Sequence, residues 1–451
     1  MKMSLIAIGL AAVAPLPARA QDKPATPPTS SFDLSGSVRL RYEALDGQFR
    51  PGFDARDDIF SIRTTILAEY RHGPLRVGAE LYDSRSYGGE PGSAIGTGEV
   101  NAFEFVQAYV GADVADPFGA RGKASLQAGR FTLNLGSRRL VAADDYRNTT
   151  NGYTGLRADW RGKDGSTATF IYTLPQIRLP DDQPAILDNR IHFDRESFDL
   201  RLWGGLAAKP KAFGRTMAEL GYFRLQERDA PGRPTRDRQL HSISARLIAD
   251  PAPGKFDWEA EAIGQFGTVS ASTAANAAKL DVGAWFIHLD AGYSFASAWT
   301  PRVSIEFDFA SGDGRGRRFG RFDTLFGMRR ADLAPAGIYA ALGRTNLSTP
   351  GIRIEASPTK RLDGFAVYRA LWAASATDAF STTGVRDASG ASGRFAGHQL
   401  EGRLRYWLLD KRLRAEFNAA WLIKRGLLRD APNAPATGDT HYASLALTAT
   451  F

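Results

Sequence analysis

From Leu34 to the end of the chain, apolar and polar residues alternate with a period of two, in short segments broken by turn residues. Leu34, Val38, Leu40 and Tyr42 share one face, and Ser35, Ser37, Arg39, Arg41 and Glu43 share the other. Phe60, Ile62, Thr64, Ile66 and Tyr70 stand opposite Ser61, Arg63, Thr65 and Glu69. The same period recurs around 75–81, 198–202, 243–247, 256–266, 303–309, 352–356, 400–406 and 413–421. At the end, Ala443, Leu445, Leu447, Ala449 and Phe451 alternate with Tyr442, Ser444, Thr448 and Thr450. Together with weaker segments, the pattern predicts roughly 18 strands of about 9–11 residues, the length that crosses a bilayer at a tilt. No segment carries a helical stripe, so the expected class is all-β.

The connections alternate as well. Tight turns are read at 71–74, 161–165, 250–254, 358–363 and 410–412. Between them lie long polar stretches at 46–57, 84–100, 132–152, 174–195, 312–345, 374–395 and 424–440. A soluble propeller or sandwich has no reason to alternate its loop lengths. A single transmembrane antiparallel β-barrel does, with short periplasmic turns and long extracellular loops. A last strand that stops on Phe451 suits closure of such a barrel. At the other end, Met1-Lys2, the apolar run 4–14 and Ala18-Arg19-Ala20 read as a secretory signal peptide. The expected organisation is a signal peptide over 1–20, a Pro-rich leader over 21–30 and an outer-membrane barrel over 31–451. No second domain is read.

Composition narrows the picture. Only 43% of the residues are hydrophobic, and no later apolar run has the length of a membrane helix. A transmembrane barrel hides its apolar residues in every second position, so its average looks soluble. The absence of cysteine removes disulfides, thiol nucleophiles and thiolate metal sites. Loss of Lys2 and Arg19 with the signal peptide lowers the formal +8 by two, and that excess names no partner.

An arginine facing lipid at mid-depth costs about 2–4 kcal/mol, so the charged face must line the lumen. This places Arg39, Arg41, Arg63, Arg76, Arg157, Arg201, Arg246, Arg302, Arg353, Arg403, Arg405 and Arg414 inside. Glu43, Glu69, Glu80, Asp199, Glu259, Glu261, Glu306, Asp308, Glu355, Glu401 and Glu416 go with them. Most would pair across neighbouring strands and stiffen the wall. A subset left unpaired at a constriction would attract an anionic solute. Arg39 with Arg41, and Arg403 with Arg405, are crowded by like charge and are the better candidates for that subset.

Several short elements resemble the alginate export family of outer-membrane channels. Ala310-Ser311-Gly312-Asp313 ends a strand and leads to Phe322-Asp323-x-Leu325-Phe326, and Asn346-Leu347 begins the next strand. Gly397-His398-Gln399 is similar to the family's Gly-His-Glu, with Gln399 in the acidic position. Gly129-Arg130-Phe131 and Arg138-Arg139-Leu140 are similar to its Gly-Arg-Gln and Arg-Leu elements, Phe131 departing from the Gln. The resemblance implies an 18-stranded monomeric barrel passing a polyuronate through an arginine-rich constriction. It carries Arg63, Arg130, Arg139 and Arg353 onto the solute path, where guanidinium forks would bind carboxylates bidentately. The expected partners are an anionic polysaccharide or sugar-acid solute, outer-membrane lipid and lipopolysaccharide, and periplasmic export proteins. The nearly balanced wall argues against a purely anion-selective tunnel, which keeps uptake of small sugar acids, or a structural or adhesive barrel, as alternatives.

Asp313, Arg315, Arg317, Arg318 and Arg321 form a Gly- and Arg-rich loop with no Lys-Ser/Thr and no following helix, so it is no phosphate loop. Arg329 and Arg330 extend its charge. Two readings stay open: a gate over the pore mouth, or arginines that meet lipopolysaccharide phosphates. A nucleic-acid partner is not expected at a cell surface. The six histidines are scattered without metal-ligand spacing and no Gly-x-Ser-x-Gly elbow occurs, so no catalytic residue, metal or cofactor is assigned.

Overall fold

The computed structural model describes residues 30–117, 122–329 and 332–451. The expected signal peptide, the leader up to residue 29 and Arg330 lie outside these residues. The described chain forms β1 (Ser30–Asp46), β2 (Arg56–His72), β3 (Leu75–Tyr87), β4 (Asn101–Ala115), β5 (Lys123–Thr132), β6 (Gly152–Arg161), β7 (Thr167–Pro175), α1 (Gln183–Leu187), β8 (Leu200–Phe213) and β9 (Thr216–Glu227). It continues with β10 (Gln239–Ala249), β11 (Lys255–Ser270), β12 (Lys279–Ser294), β13 (Arg302–Ala310), β14 (Leu347–Thr359), β15 (Leu362–Trp372), β16 (Phe395–Leu409), β17 (Leu413–Lys424), α2 (Leu427–Asp430) and β18 (Thr440–Thr450).

Each strand pairs antiparallel with its chain neighbours, and β18 returns to β1 from Ser37↔Thr450 to Asp46↔His441. An 18-stranded sheet closed in this way leaves no edge. Two-residue turns at 73–74, 214–215 and 360–361 lie on one side, and loops such as 133–151, 176–199 and 311–346 lie on the other. Two further loops, 228–238 and 271–278, join the long-loop side.

The period-two reading holds for the lower wall. Leu34, Val38, Leu40 and Tyr42 are exposed on the outer face, while Arg39 and Arg41 are buried inside. Towards the long loops the rule reverses. Phe131, Ile171, Leu202, Phe223, Leu225, Leu240, Ile263, Phe286, Leu371 and Leu422 are all buried in one cluster. They pack there with loop residues Leu133, Leu140, Val141, Leu333, Ile338, Tyr339 and Leu342. The loops fold into the barrel, and burying each such side chain favours that by about 1.5–3 kcal/mol. The extracellular half therefore has a hydrophobic core inside the wall, where a water-filled lumen would have polar residues.

Candidate channel constriction

The loop 133–151 crosses the lumen and ends on three arginines. Arg39 donates to the carbonyl oxygens of Asp145 and Tyr146, both at 3.2 Å, and of Arg147 at 2.6 Å. Arg63, its register partner on β2, donates to Asp145 and Arg147 at 3.3 and 3.2 Å. Arg41 donates to the Tyr146 carbonyl at 2.5 Å and pairs with Glu43 at 2.8 Å. Glu43 in turn accepts from the Tyr442 hydroxyl at 2.7 Å. Among the described residues no carboxylate forms an ion pair with Arg39 or Arg63, so their charge is oriented by carbonyl dipoles and not cancelled. Asn148 anchors the same loop by donating to the carbonyls of Ile62, Arg85 and Glu99 at 3.2, 3.1 and 2.9 Å.

On the opposite wall the same loop is held by charge pairs. Arg139 is buried and binds Glu259 and Glu261 of β11. It also forms a fork on Asp332, at 2.7 and 2.9 Å, in the loop 311–346. Arg344 binds Asp332 as well. Burial alone would raise the Asp332 carboxyl, but Arg139 and Arg344 hold it well below the usual carboxylate range. Beside them, His288 meets Asp308 at 2.8 Å, and Arg369 reaches Glu306 and Asp308. His288, Asp308 and Asp332 present ligand atoms within 4.8 Å of one another. Arg139, Arg344 and Arg369 already occupy these carboxylates, so the group reads as an ion-pair lattice and not as a cation site.

Below this lattice the wall is mixed. Arg353 stacks over Phe365 at 3.9 Å and pairs with Glu355 at 3.1 Å. Arg403 lies over the same ring at 4.8 Å, and Arg405 pairs with Asp363 at 2.8 Å. Arg157 pairs with Asp159 at 2.6 Å.

Two expected lumen arginines lie elsewhere. Arg130 sits on the face of β5 opposite buried Phe131, the face on which Leu126 is exposed. It is closed off by Glu104 and Glu196, each at 2.7 Å. Arg201 lies opposite buried Leu202 and shares its face with Trp203 and the register partner Gln226. Both are turned outward because Phe131 and Leu202 claim the inward positions beneath the folded loops. Gly129, at φ +120°, makes this fit possible, since a Cβ there would lie 2.3 Å from the Ala108 carbonyl.

The expected gating segment divides into parts. Arg321 is pinned to Asp378 at 2.7 Å and to the carbonyls of Ala379 and Ser381. Asp313 accepts from the Gly320 amide at 3.0 Å, and Arg315, Arg317 and Arg318 are exposed. The part that enters the lumen is 332–345, where Leu333, Ala334, Ala336, Ile338, Tyr339, Ala341 and Leu342 are buried. Asp332, Arg344, Arg369 and buried Lys424 are the site residues that sequence reasoning missed. Only Arg369 and Lys424 carried a signal, their parity on β15 and β17.

The short motifs lace loops together. Gln265 grips Asp323 twice, accepting from its amide at 2.9 Å and donating to its carbonyl at 2.8 Å. Phe322 packs on Phe286, and Phe326 forms a parallel bridge with Val141 of the crossing loop. Asn346 donates to the carbonyls of Ser375, Asp378 and Ala379. Gln399 accepts from the Tyr339 hydroxyl at 2.7 Å, while His398 meets Tyr368 at 2.8 Å at an exposed position.

The barrel is similar to solved outer-membrane proteins of Pseudomonas aeruginosa. Against the outer membrane protein opdK the identity is 12% and the TM-score 0.57, covering 93% of this chain and 99% of that one. Against OccK2 (OpdF) in complex with glucuronate the identity is 15% and the TM-score 0.56, covering 93% and 98%. Against OccK9 (OpdG) the identity is 12% and the TM-score 0.59, covering 93% and 98%. These likenesses show the fold. No curated protein matches the sequence. The family model described as alginate export matches residues 31–434, and the chain therefore belongs to the alginate export family, as an outer-membrane channel.

Proposed function

We propose that the channel passes a uronate-bearing anionic polysaccharide. The observation that carries this reading is the pair Arg39 and Arg63, register partners whose guanidiniums meet carbonyl oxygens instead of carboxylates. A carboxylate travelling through the lumen can supply the charge partner that the wall withholds. Arg41, Arg157, Arg353, Arg403 and Arg405 would add a stepped series of weaker, already paired positions along the way, whereas Arg139 is held in the ion-pair lattice. The protein acts in this reading as a monomer and carries no catalytic group.

A second reading is passage of a small sugar acid. It is favoured by loops 133–151 and 332–345, which pack across the lumen, and by the glucuronate bound in the structurally similar OccK2. Single channels in planar bilayers separate the two. Oligouronate should block the current transiently, more than a neutral glycan of equal length, with glucuronate alone a weak blocker. Block by the monomer but not by the oligomer would establish the small-solute reading. Equal block by charged and neutral sugars would remove both.

A further inference from the structure

The segment 315–320 lies on the rim of the barrel. β12 outruns β13: the pairing of the two strands stops at Phe286↔Ala310, and β12 continues upward to Lys279. The chain after β13 turns back and fills the vacant edge. Phe319 donates to the Asp281 carbonyl at 2.8 Å and accepts from the Gly283 amide at 3.1 Å, a parallel bridge to Val282. Phe319 packs inward with Val282, so Arg318 must project outward. The contacts agree, since a Cβ on Gly283 would meet the Arg318 side chain at 3.2 Å.

Two residues below Gly283 on the same face, Trp285 stacks on Phe309 at 4.2 Å. At the other end of β12, Tyr293 packs on Phe256 at 4.8 Å. Eight residues at ~3.3 Å each separate the two aromatic levels, about 26 Å along the strand. At a strand tilt of about 35–45° this spans about 19–22 Å along the membrane normal, most of an apolar band about 25 Å tall bounded by aromatic girdles. Arg318 therefore stands immediately above the outer girdle, at headgroup depth. Lys279 is exposed on the same face, with the Asp281 carboxylate beside it, and Arg317, next in the chain, is exposed in the bend 315–318. Arg315, also exposed, donates to the Ser389 carbonyl at 3.0 Å. Among the described residues no carboxylate forms an ion pair with Arg317 or Arg318.

We propose that Arg317, Arg318 and Lys279 form a docking site for the phosphates of the outer-leaflet glycolipid, lipid A, whose acyl chains lie along Trp285 and Phe309. Guanidiniums bind phosphate in forks, and the rim presents them at the depth where lipid A carries its phosphates. The segment is thus a lipid contact and not a gate.

The test uses the full mature barrel in detergent, with native mass spectrometry counting bound lipid. Bisphosphorylated lipid A should bind more tightly than dephosphorylated lipid A. Arg317→Gln with Arg318→Gln should weaken the bisphosphorylated form about tenfold or more and leave the dephosphorylated form unchanged. A heat-modifiable gel shift confirms that the variant is folded. Equal binding by variant and wild type would overturn the proposal. So would full displacement of the lipid by excess inorganic phosphate, which would make this a free-anion site. Unchanged lipid binding with altered current gating would restore the gate.

Discussion

Arg39 on β1 and Arg63 on β2 face each other in register and donate to one and the same oxygen, the carbonyl of Arg147. Two like charges are thereby held side by side by a loop dipole. Arg39 is buried and Arg63 half-buried at the lumen face, and no described carboxylate forms an ion pair with either. The arrangement suits transient capture of an anion, because a permanent partner would make each step of passage an exchange of ion pairs.

Changing both residues to glutamine should remove most of the anion preference. The reversal potential in a salt gradient should shift towards cations in Arg39→Gln with Arg63→Gln. The wild-type preference should fade as salt rises, because charge in a wet pore is screened over about 8–10 Å. An unshifted potential would mean that selectivity is set elsewhere.

Arg139 has a different role, since Glu259, Glu261 and Asp332 already satisfy it. Removing one member of a buried ion pair typically costs about 3–5 kcal/mol, because the remaining charges are stranded. Arg139→Ala should therefore release loop 133–151 from the β11 wall. Single channels should become larger and noisier, and protease should cut within 133–151. A quiet channel of wild-type conductance would show that the Arg39–Arg63 side holds the loop alone.

The barrel was legible in the sequence because its physics is local. Val38, Leu40 and Tyr42 must meet lipid and Arg39 and Arg41 must not, and a period of two records this directly. Arg201 and Arg130 were misread for a reason that is not local. Leu202 and Phe131 look lipid-facing until loops from distant parts of the chain fold over them. The contact between Arg139 and Glu261 spans 122 residues, and nothing in the sequence around either residue announces it. Asp332 was hidden for the same reason, as one of three acids in the long loop 311–346.

Glu99, in the loop 88–100, should make the channel sensitive to pH. Burial and the neighbouring Glu43 raise its carboxyl from 4.5 to about 7. Between these values the folded loop keeps a proton that the unfolded chain has lost, so its stability falls as pH rises through this window. Above pH 7 a negative charge appears near Arg41. Anion preference should then decline from pH 5 to pH 8, and Glu99→Gln should flatten the profile. Asp194, also raised to about 7, would be responsible if Glu99→Gln keeps the wild-type slope.

Gln265 braces Asp323 through both backbone groups, so Gln265→Leu would leave two half-buried polar groups without that partner. A fully buried group so stranded costs about 1–3 kcal/mol, and a half-buried one less. The loop 311–346 should then be cleaved faster by protease, while the barrel keeps its heat-modifiable shift. Unchanged cleavage would show that Arg238, which pairs with Asp323 at 2.8 Å, suffices to hold the segment.

Arg130 and the pair Arg39–Arg63 make opposite predictions for polymer block. Arg130 lies on the outward face between Glu104 and Glu196, so Arg130→Ala should leave block by oligouronate unchanged. Arg39→Gln with Arg63→Gln should shorten the blocks. A guanidinium–carboxylate contact in a wet pore contributes on the order of 1 kcal/mol or less, so block should need several sugar units. Dwell time should therefore lengthen with oligomer size in the wild type and much less in the double variant. Arg353→Gln should have a smaller effect, because Glu355 and Phe365 already engage that guanidinium. Shortened blocks in Arg130→Ala, with wild-type dwell in Arg39→Gln and Arg63→Gln, would mean that the Arg130 guanidinium reaches the lumen and that the Arg39–Arg63 pair is off the uronate path.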